Sequence, residues 1–167
     1  MLHFLAMSDS DFHPGPSSNR SVELNHRHAI VAGFGIVGRM VAQQLERAGV
    51  DVTLIELNRA TSQKQHSGIQ QVVCGDVCEA QTLQDAGIDR ADALILTIPD
   101  EEQAVRACAT ARKLNPQIFI AARTNFFSKG LIASQAGADA VVVEEVVTAE
   151  AMQRAVVRRL LTGKDGG

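Results

Sequence analysis

The sequence predicts an α/β domain built on one doubly wound sheet of six parallel strands in the order 3-2-1-4-5-6. Short apolar runs alternate with helix-like patterns from residue 28 to residue 162, and a glycine-rich turn directly follows the first run. Aromatic residues make up only 4% of the 167 residues, and the chain has no Trp and no Tyr. The core must therefore be built from Ala, Val, Leu and Ile, which suits helices packed closely on a buried parallel sheet.

The first strand is predicted at 28–33, where the chain is apolar and β-branched at its centre. The first helix is predicted at 36–48, because apolar residues recur there with helical spacing: Ile36, Val37, Met40, Val41 and Leu45. The other strands are expected at 51–56, 70–74, 92–98, 117–122 and 139–143. The other helices are expected at 58–67, 78–86, 100–114, 126–135 and 145–161.

Two of these elements have clear boundary signals. Pro99 and the acids that follow it mark the start of the fourth helix, because acids stabilise the positive end of a helix dipole. The last helix carries apolar residues over a broad surface, which indicates that it also packs on a partner chain. Right-handed crossovers then give the strand order above and a ligand crevice at the carboxyl ends of strands 1 and 4.

The glycine turn at residues 33–38 reads Gly-Phe-Gly-Ile-Val-Gly, the signature of a Rossmann-like dinucleotide site. Gly33 permits a tight turn, Gly35 lets the backbone approach a pyrophosphate, and Gly38 lets the helix pack close to the sheet. The first N–H groups of the helix then face the phosphates. Glu56 lies roughly 20 residues further on, where a carboxylate accepts hydrogen bonds from a ribose diol. The alternative is that the glycines serve packing alone.

Polar residues follow three further strands at the same edge of the sheet. Asp76 could accept a hydrogen bond from an adenine amino group, or could serve as the N-cap of the next helix. Thr97 could touch a phosphate or ribose, or could satisfy the backbone of the glycine loop. Arg123 could reach a phosphate, or could form an ion pair within the fold.

Composition defines the expected surroundings of this domain. Residues 1–27 are rich in Ser, Asp, Asn, Pro and Gly and are expected to form a disordered or linker tail, and residues 163–167 a second flexible tail. No apolar run approaches the roughly 18 residues that span a bilayer, so we expect no direct membrane insertion. A net charge of −3 provides no basic field for nucleic acid. The histidine and acidic residues suggest no metal site.

The three cysteines are Cys74, Cys78 and Cys108, and so low and odd a count fits a reducing compartment. Cys74 and Cys78 are close in sequence, but their spacing is not Cys-x-x-Cys. We therefore expect small buried hydrophobic side chains rather than a redox pair.

Several segments together point to one family. They are Ala32 to Gly38, Leu54 to Glu56, Gly75-Asp76, Leu83 to Ile95, Ala107 to Pro116, Ala122-Arg123 and Ala136 to Val142. The series LQDAGIDRADALIL, ARKLNP and AGADAVV is the specific part, because ordinary dehydrogenases do not carry it. Over residues 28–147 the chain resembles the RCK-N, KTN or TrkA-N domain, which regulates potassium channels and transporters.

The resemblance implies a cytoplasmic regulatory domain, located at the inner face of the cell membrane as part of a transport complex. It implies binding of NAD(H), AMP, ADP or ATP, assembly as a homodimer or a higher ring, and a membrane potassium channel or transporter as partner. The last helix resembles the crossover helix that pairs such domains. Many members carry Arg after the second glycine. Here that residue is Ile36, which favours NAD(H) or AMP over a triphosphate.

Motif and resemblance together predict one set of ligand-binding residues: Gly33, Phe34, Gly35, Ile36, Val37, Gly38, Glu56, Leu57, Asn58, Gly75, Asp76, Val77, Thr97, Ile98 and Arg123. The alternative function is a small NAD-dependent oxidoreductase. A Tyr-Lys proton relay is impossible without Tyr, and no His lies beyond residue 66. Because these catalytic groups are missing, we expect a binding module with no catalytic residues and not an enzyme.

Overall fold

The computed structural model describes residues 27–62, 69 and 71–161. Six strands pair in parallel in the order β3-β2-β1-β4-β5-β6, so the predicted topology is confirmed. The elements are β1 (His28–Ala32), α1 (Ile36–Arg47), β2 (Asp51–Glu56), α2 (Arg59–Ser62), β3 (Gln71–Cys74), α3 (Ala80–Asp85), β4 (Ala93–Leu96), α4 (Glu101–Leu114), β5 (Phe119–Thr124), α5 (Phe127–Gln135), β6 (Ala140–Val143) and α6 (Glu144–Leu161). The predicted tails, apart from residue 27, and the end of the predicted helix 58–67 lie outside the described residues.

The central strands are buried on both faces of the sheet. Successive side chains of a strand point to opposite faces, and β1 accordingly supplies Ile30 to one hydrophobic cluster and Val31 to another. Small side chains line the buried side of α4, namely Ala104, Ala107, Cys108 and Ala111. Their size lets the helix lie close to the sheet, as the composition predicts.

Two predicted boundaries are shifted where a side chain holds a turn. The helix predicted from residue 78 begins at Ala80. Asp76 accepts a hydrogen bond from the Cys78 N–H at 2.8 Å and holds a turn before this helix. The N-cap of the helix is Glu79, which forms no side-chain cap, so the N-cap role offered for Asp76 is wrong. The strand predicted at 117–122 is β5, at Phe119–Thr124. Asn115 accepts a hydrogen bond from the Gln117 N–H at 3.1 Å, and this turn delays the strand by two residues.

The cysteine prediction holds for Cys108, which is buried, and is wrong for Cys74, which is exposed at the end of the edge strand β3. An edge strand pairs on one side only. Cys78 is partly buried. Burial raises the pKa of both the Cys78 and the Cys108 thiol to about 11. Both thiols therefore stay protonated at neutral pH, and protonated thiols are poor nucleophiles.

Helix α6 differs from the other long helices because none of its residues is buried. Its exposed apolar side chains include Met152, Val156 and Leu160, which succeed one another at four-residue intervals and so share one side of the helix. No helix among the described residues is long and apolar enough to span a membrane.

Candidate functional site

A cleft of about 660 Å³ lies at the carboxyl ends of β1 and β4, where the strand order reverses. Twelve of the fifteen predicted site residues line it: Gly33, Phe34, Gly35, Glu56, Leu57, Asn58, Gly75, Asp76, Val77, Thr97, Ile98 and Arg123. Five residues that were not predicted also line it: Ala32, Ile55, Pro99, Asp100 and Gln103. The fold therefore brings most of the predicted residues to one place.

The three predicted residues that do not line the cleft are Ile36, Val37 and Gly38. Ile36 and Val37 lie in the first turn of α1 and are exposed. Gly38 is buried beneath the glycine loop. A Cβ at Gly38 would overlap the carbonyl oxygen of Gly33 and lie 2.7 Å from Thr97 Oγ1. Gly38 thus has the packing role that the motif predicts.

Gly33 begins the turn out of β1 with a φ of +91°, a conformation that favours glycine. Gly35 follows in an extended conformation as the N-cap of α1. No side chain caps this helix, and its first turn carries no acid. The N–H groups at this end therefore lack side-chain partners, and with the helix dipole behind them they suit a phosphate.

Helix α4 also begins at the cleft, but its N-terminus is capped by its own side chains. Asp100 Oδ1 accepts hydrogen bonds from the N–H groups of Glu102 at 2.9 Å and Gln103 at 3.0 Å. The hydrogen bond from the Gln103 N–H is the main cause that lowers the pKa of Asp100. Glu101 and Glu102 add two acids to the first turn of α4. An anion is therefore favoured at α1 and disfavoured at α4.

Glu56 ends β2, on the side of β1 away from β4, and holds the glycine loop. Its carboxylate accepts hydrogen bonds from the Phe34 N–H at 3.1 Å and from the Asn58 N–H at 2.9 Å. An ionised carboxylate has about four lone-pair positions, so about two remain for hydroxyl donors of a ligand. The residue thus supports the shape of the loop and keeps the capacity that the ribose prediction requires.

The structure shows what Thr97 and Arg123 contact within the domain. The Thr97 hydroxyl lies 2.9 Å from the carbonyl oxygens of both Ala32 and Gly33, so it satisfies the backbone of the glycine loop. Arg123 lies within β5, and its Nη1 atom forms an ion pair with Glu144 at 3.0 Å. Arg123 also lines the cleft.

Asp100 and Gln103 are the main residues that the sequence analysis missed. Asp100 was interpreted only as part of a helix start, and Gln103 fell within the predicted helix 100–114 with no role of its own, although that helix begins beside the β4 end of the cleft. The polar residues were visible in the sequence, but an acid at this position is as typical of a helix N-cap as of a ligand-binding site. Within the described residues, no group of His, Cys, Asp and Glu could hold a metal ion.

These features define a Rossmann-like domain with an open cleft at the switch point of its sheet. The sequence model of the TrkA-N domain family matches residues 29–144 of the chain. The chain belongs to the TrkA-N family.

Two curated relatives illustrate the match. The putative cation/proton antiporter YbaL of Escherichia coli K12 is 30% identical over 125 residues, which are 75% of this chain and 22% of that protein. The TrkA homolog of the Trk potassium uptake system of Pyrococcus abyssi is 34% identical over 92 residues, which are 54% of this chain and 40% of that protein. The chain therefore spans less than half the length of either relative.

Two solved structures share the fold. The crystal structure of the TrkA-N domain of E. coli YbaL has a TM-score of 0.74 at 29% identity and covers 81% of this chain and 99% of that chain. The crystal structure of GsuK bound to ADP has a TM-score of 0.69 at 31% identity and covers 78% of this chain and 34% of that chain.

Proposed function

We propose that this domain binds an adenine nucleotide, with NAD(H) as the first choice over AMP, ADP or ATP, and thereby regulates potassium or other monovalent cation transport. The observation that carries the proposal is the α1 N-terminus, which lacks a side-chain cap and begins at the same cleft that Glu56 lines. The ADP-bound GsuK structure supports nucleotide binding by this fold. The names of the YbaL and TrkA relatives support the link to cation transport.

In this proposal the phosphates lie on the N–H groups at the start of α1, and the adenosine ribose lies on Glu56. The adenine lies near Gly75 to Val77, and the second half of the ligand lies toward Thr97, Ile98 and Arg123. Asp100 would meet any further phosphate at the α4 end. This charge pattern favours NAD(H) or AMP over ATP, since a dinucleotide places an uncharged ribose and a nicotinamide there.

We propose a regulatory module rather than an oxidoreductase, because its ionisable side chains hold the fold. Among the described residues, the ionisable groups that line the cleft are Glu56, Asp76, Asp100 and Arg123. Each of them is engaged in a hydrogen bond or ion pair within the domain. A general base must be placed to take a proton from a substrate and must have a pKa suited to that task. These four groups instead bind backbone or side-chain partners and so hold the loops around the cleft.

Thermal unfolding of the 167-residue chain with NAD, NADH, NADP, AMP, ADP and ATP tests the proposal. Stabilisation should rise with the ratio of ligand concentration to Kd, by about 2.7 kcal/mol at 100 times Kd. We expect the largest shifts with NAD(H) or AMP and a smaller one with ATP. The absence of any shift at millimolar concentrations of all six ligands would contradict nucleotide binding.

Replacing Glu56 by Gln should weaken NAD binding by about tenfold or more, because a charged acceptor for the ribose diol is lost. NADP should lose less affinity, since the same change removes a charge that repels its 2′-phosphate. Isothermal titration of both ligands measures the two losses. Glu56→Ala is the harsher variant, because it also removes the acceptor of the Phe34 and Asn58 N–H groups. Equal losses of affinity for NAD and NADP would contradict the proposed contact between Glu56 and the ribose.

We further propose that the domain is a homodimer, alone or within a larger ring, that pairs through α6 and acts on a membrane channel or transporter at the inner face of the membrane. The support is the exposed apolar side of α6, which carries Met152, Val156 and Leu160. A second copy of the same helix would cover these side chains from water. The names of the YbaL and TrkA relatives support a transport partner.

Val156→Glu should raise the dimer dissociation constant by about 30-fold or more, because it places an unpaired charge in an apolar interface. Sedimentation equilibrium measures this constant. Ala151→Glu is the matched control, since Ala151 is exposed and lies roughly 140° around the helix from Val156. The interface assignment fails if both variants dimerise as the original chain does.

A further inference from the structure

The end of the cleft beside β4 and α4 carries more negative than positive charge. Two ionisable side chains line it: Arg123 lies on β5, which pairs with β4, and Asp100 is the N-cap of α4. The charge of Arg123 is balanced by Glu144, whose carboxylate lies 3.0 Å from its Nη1 atom. Asp100 forms no ion pair with any residue that the structure describes. The charge left at this end of the cleft is therefore that of a carboxylate.

Asp100 is held in place in its ionised form. Its Oδ1 atom accepts hydrogen bonds from the N–H groups of Glu102 at 2.9 Å and Gln103 at 3.0 Å, and its Oδ2 atom accepts one from Gln103 Nε2 at 3.3 Å. The hydrogen bond from the Gln103 N–H is the largest cause that lowers the pKa of Asp100, and the charge of Arg106 lowers it further. Arg106 itself does not line the cleft. A fixed negative charge thus faces the cavity at neutral pH.

The other acids at the start of α4 do not offset this charge. Glu101 accepts hydrogen bonds from the N–H groups of Asn125 at 2.6 Å and Phe126 at 3.2 Å, which are uncharged donors. Glu102 lies 3.4 Å from Lys129 Nζ, and neither of these two residues lines the cleft. The first turn of α4 therefore adds negative rather than positive charge beside the cavity.

The proposed ligand can distinguish such a charge through its second half. In the binding mode proposed above, the nicotinamide of a dinucleotide occupies the end of the cleft beside Asp100. The nicotinamide ring of oxidised NAD is a positively charged pyridinium, whereas the ring of NADH is uncharged. The two forms differ by one hydride at this ring and share the whole adenosine half. A nearby carboxylate attracts the pyridinium and has no such attraction for the reduced ring.

We infer that Asp100 is a specificity-determining residue that makes the cleft bind oxidised NAD more tightly than NADH. The inference rests on the proposed nucleotide binding and extends it to the redox form of the ligand. Asp100 is exposed to solvent, so water screens its charge and the expected preference is about three- to fivefold in Kd. The uncapped start of α1 contributes nothing to this preference, because it faces the phosphates that both forms carry.

Isothermal titration of the full 167-residue chain with NAD and with NADH tests the inference. In the original chain the Kd of NADH should exceed that of NAD by about three- to fivefold, and in Asp100→Asn this ratio should fall to about 1.5 or less. Asn caps a helix as well as Asp does, so the start of α4 is retained. Glu102→Gln is the matched control, since it removes a charge from the same turn at a residue that does not line the cleft. Its ratio should stay at about threefold or more.

Asp100→Ser is a second variant, because Ser is also a preferred N-cap but is shorter and uncharged. A loss of the preference in both Asp100 variants assigns it to charge rather than to side-chain shape. Thermal unfolding establishes that each variant is folded. Equal affinities of the original chain for NAD and NADH, or tighter binding of NADH, overturn the inference and leave the proposed nucleotide site intact. An undiminished ratio in both Asp100 variants also overturns it. Failure of both ligands to bind instead removes the proposed function, and the inference with it.

Discussion

Gly35→Val abolishes nucleotide binding and leaves the domain folded: the affinity for NAD should fall about 100-fold or more, which corresponds to about 2.7 kcal/mol. Gly35 lines the cleft at the start of α1, where the proposed pyrophosphate contacts the backbone. A valine side chain would occupy the space that the phosphates need. A Cβ at this position would meet no atom within 4 Å, so the fold itself has room for it.

Isothermal titration measures the affinity, and thermal unfolding measures the integrity of the fold. The melting temperature should fall by less than about 4 °C, because replacing a glycine N-cap costs about 1 kcal/mol. Gln43→Val, at an exposed position of α1, is the control for adding the same side chain to the same helix. Unchanged NAD affinity in Gly35→Val would show that the pyrophosphate does not approach this residue.

In contrast to Gly35→Val, Gly38→Ala should cause a large decrease in the free energy of unfolding. A Cβ at Gly38 would overlap the Gly33 carbonyl oxygen and lie 2.7 Å from Thr97 Oγ1. Neither atom can withdraw easily, because one is backbone and the other is held 2.9 Å from the Ala32 carbonyl oxygen. Helix α1 must therefore move away from the sheet. Overpacking of this kind costs about 1–3 kcal/mol, which exceeds the roughly 0.5–1 kcal/mol that alanine contributes to a helix.

Urea unfolding measures this loss, and we expect a decrease of about 2 kcal/mol in the free energy of unfolding. Gly35→Ala is the matched control, since it adds the same methyl group three residues earlier, in open space. An equal or higher stability in Gly38→Ala would mean that α1 is not held against the glycine loop. The two glycines thus separate the binding role of the loop from its packing role.

The cleft residues that belong to a local sequence motif could be predicted from the sequence. Gly33, Gly35 and Glu56 belong to one strand-turn-helix-strand unit whose spacing predicts their positions, and all three line the cleft. Asp100 and Gln103 were missed because a capping acid at a helix start looks the same in sequence whether or not a cleft lies beside it. Cys74 was predicted to be buried from its residue type alone, although the predicted strand order already places its strand at the edge of the sheet.

The sequence by itself determined the fold class and the glycine turn, because hydrophobic periodicity and backbone freedom act over short stretches of chain. The strand order was predicted as the simplest doubly wound arrangement of the elements so found. Only the tertiary structure decided what Thr97 and Arg123 contact. Thr97 satisfies two carbonyl oxygens of the glycine loop, and Arg123 pairs with Glu144. These partners are 64 or 65 residues away in the first case and 21 in the second. Contacts between distant segments depend on how the strands align, which no local pattern encodes.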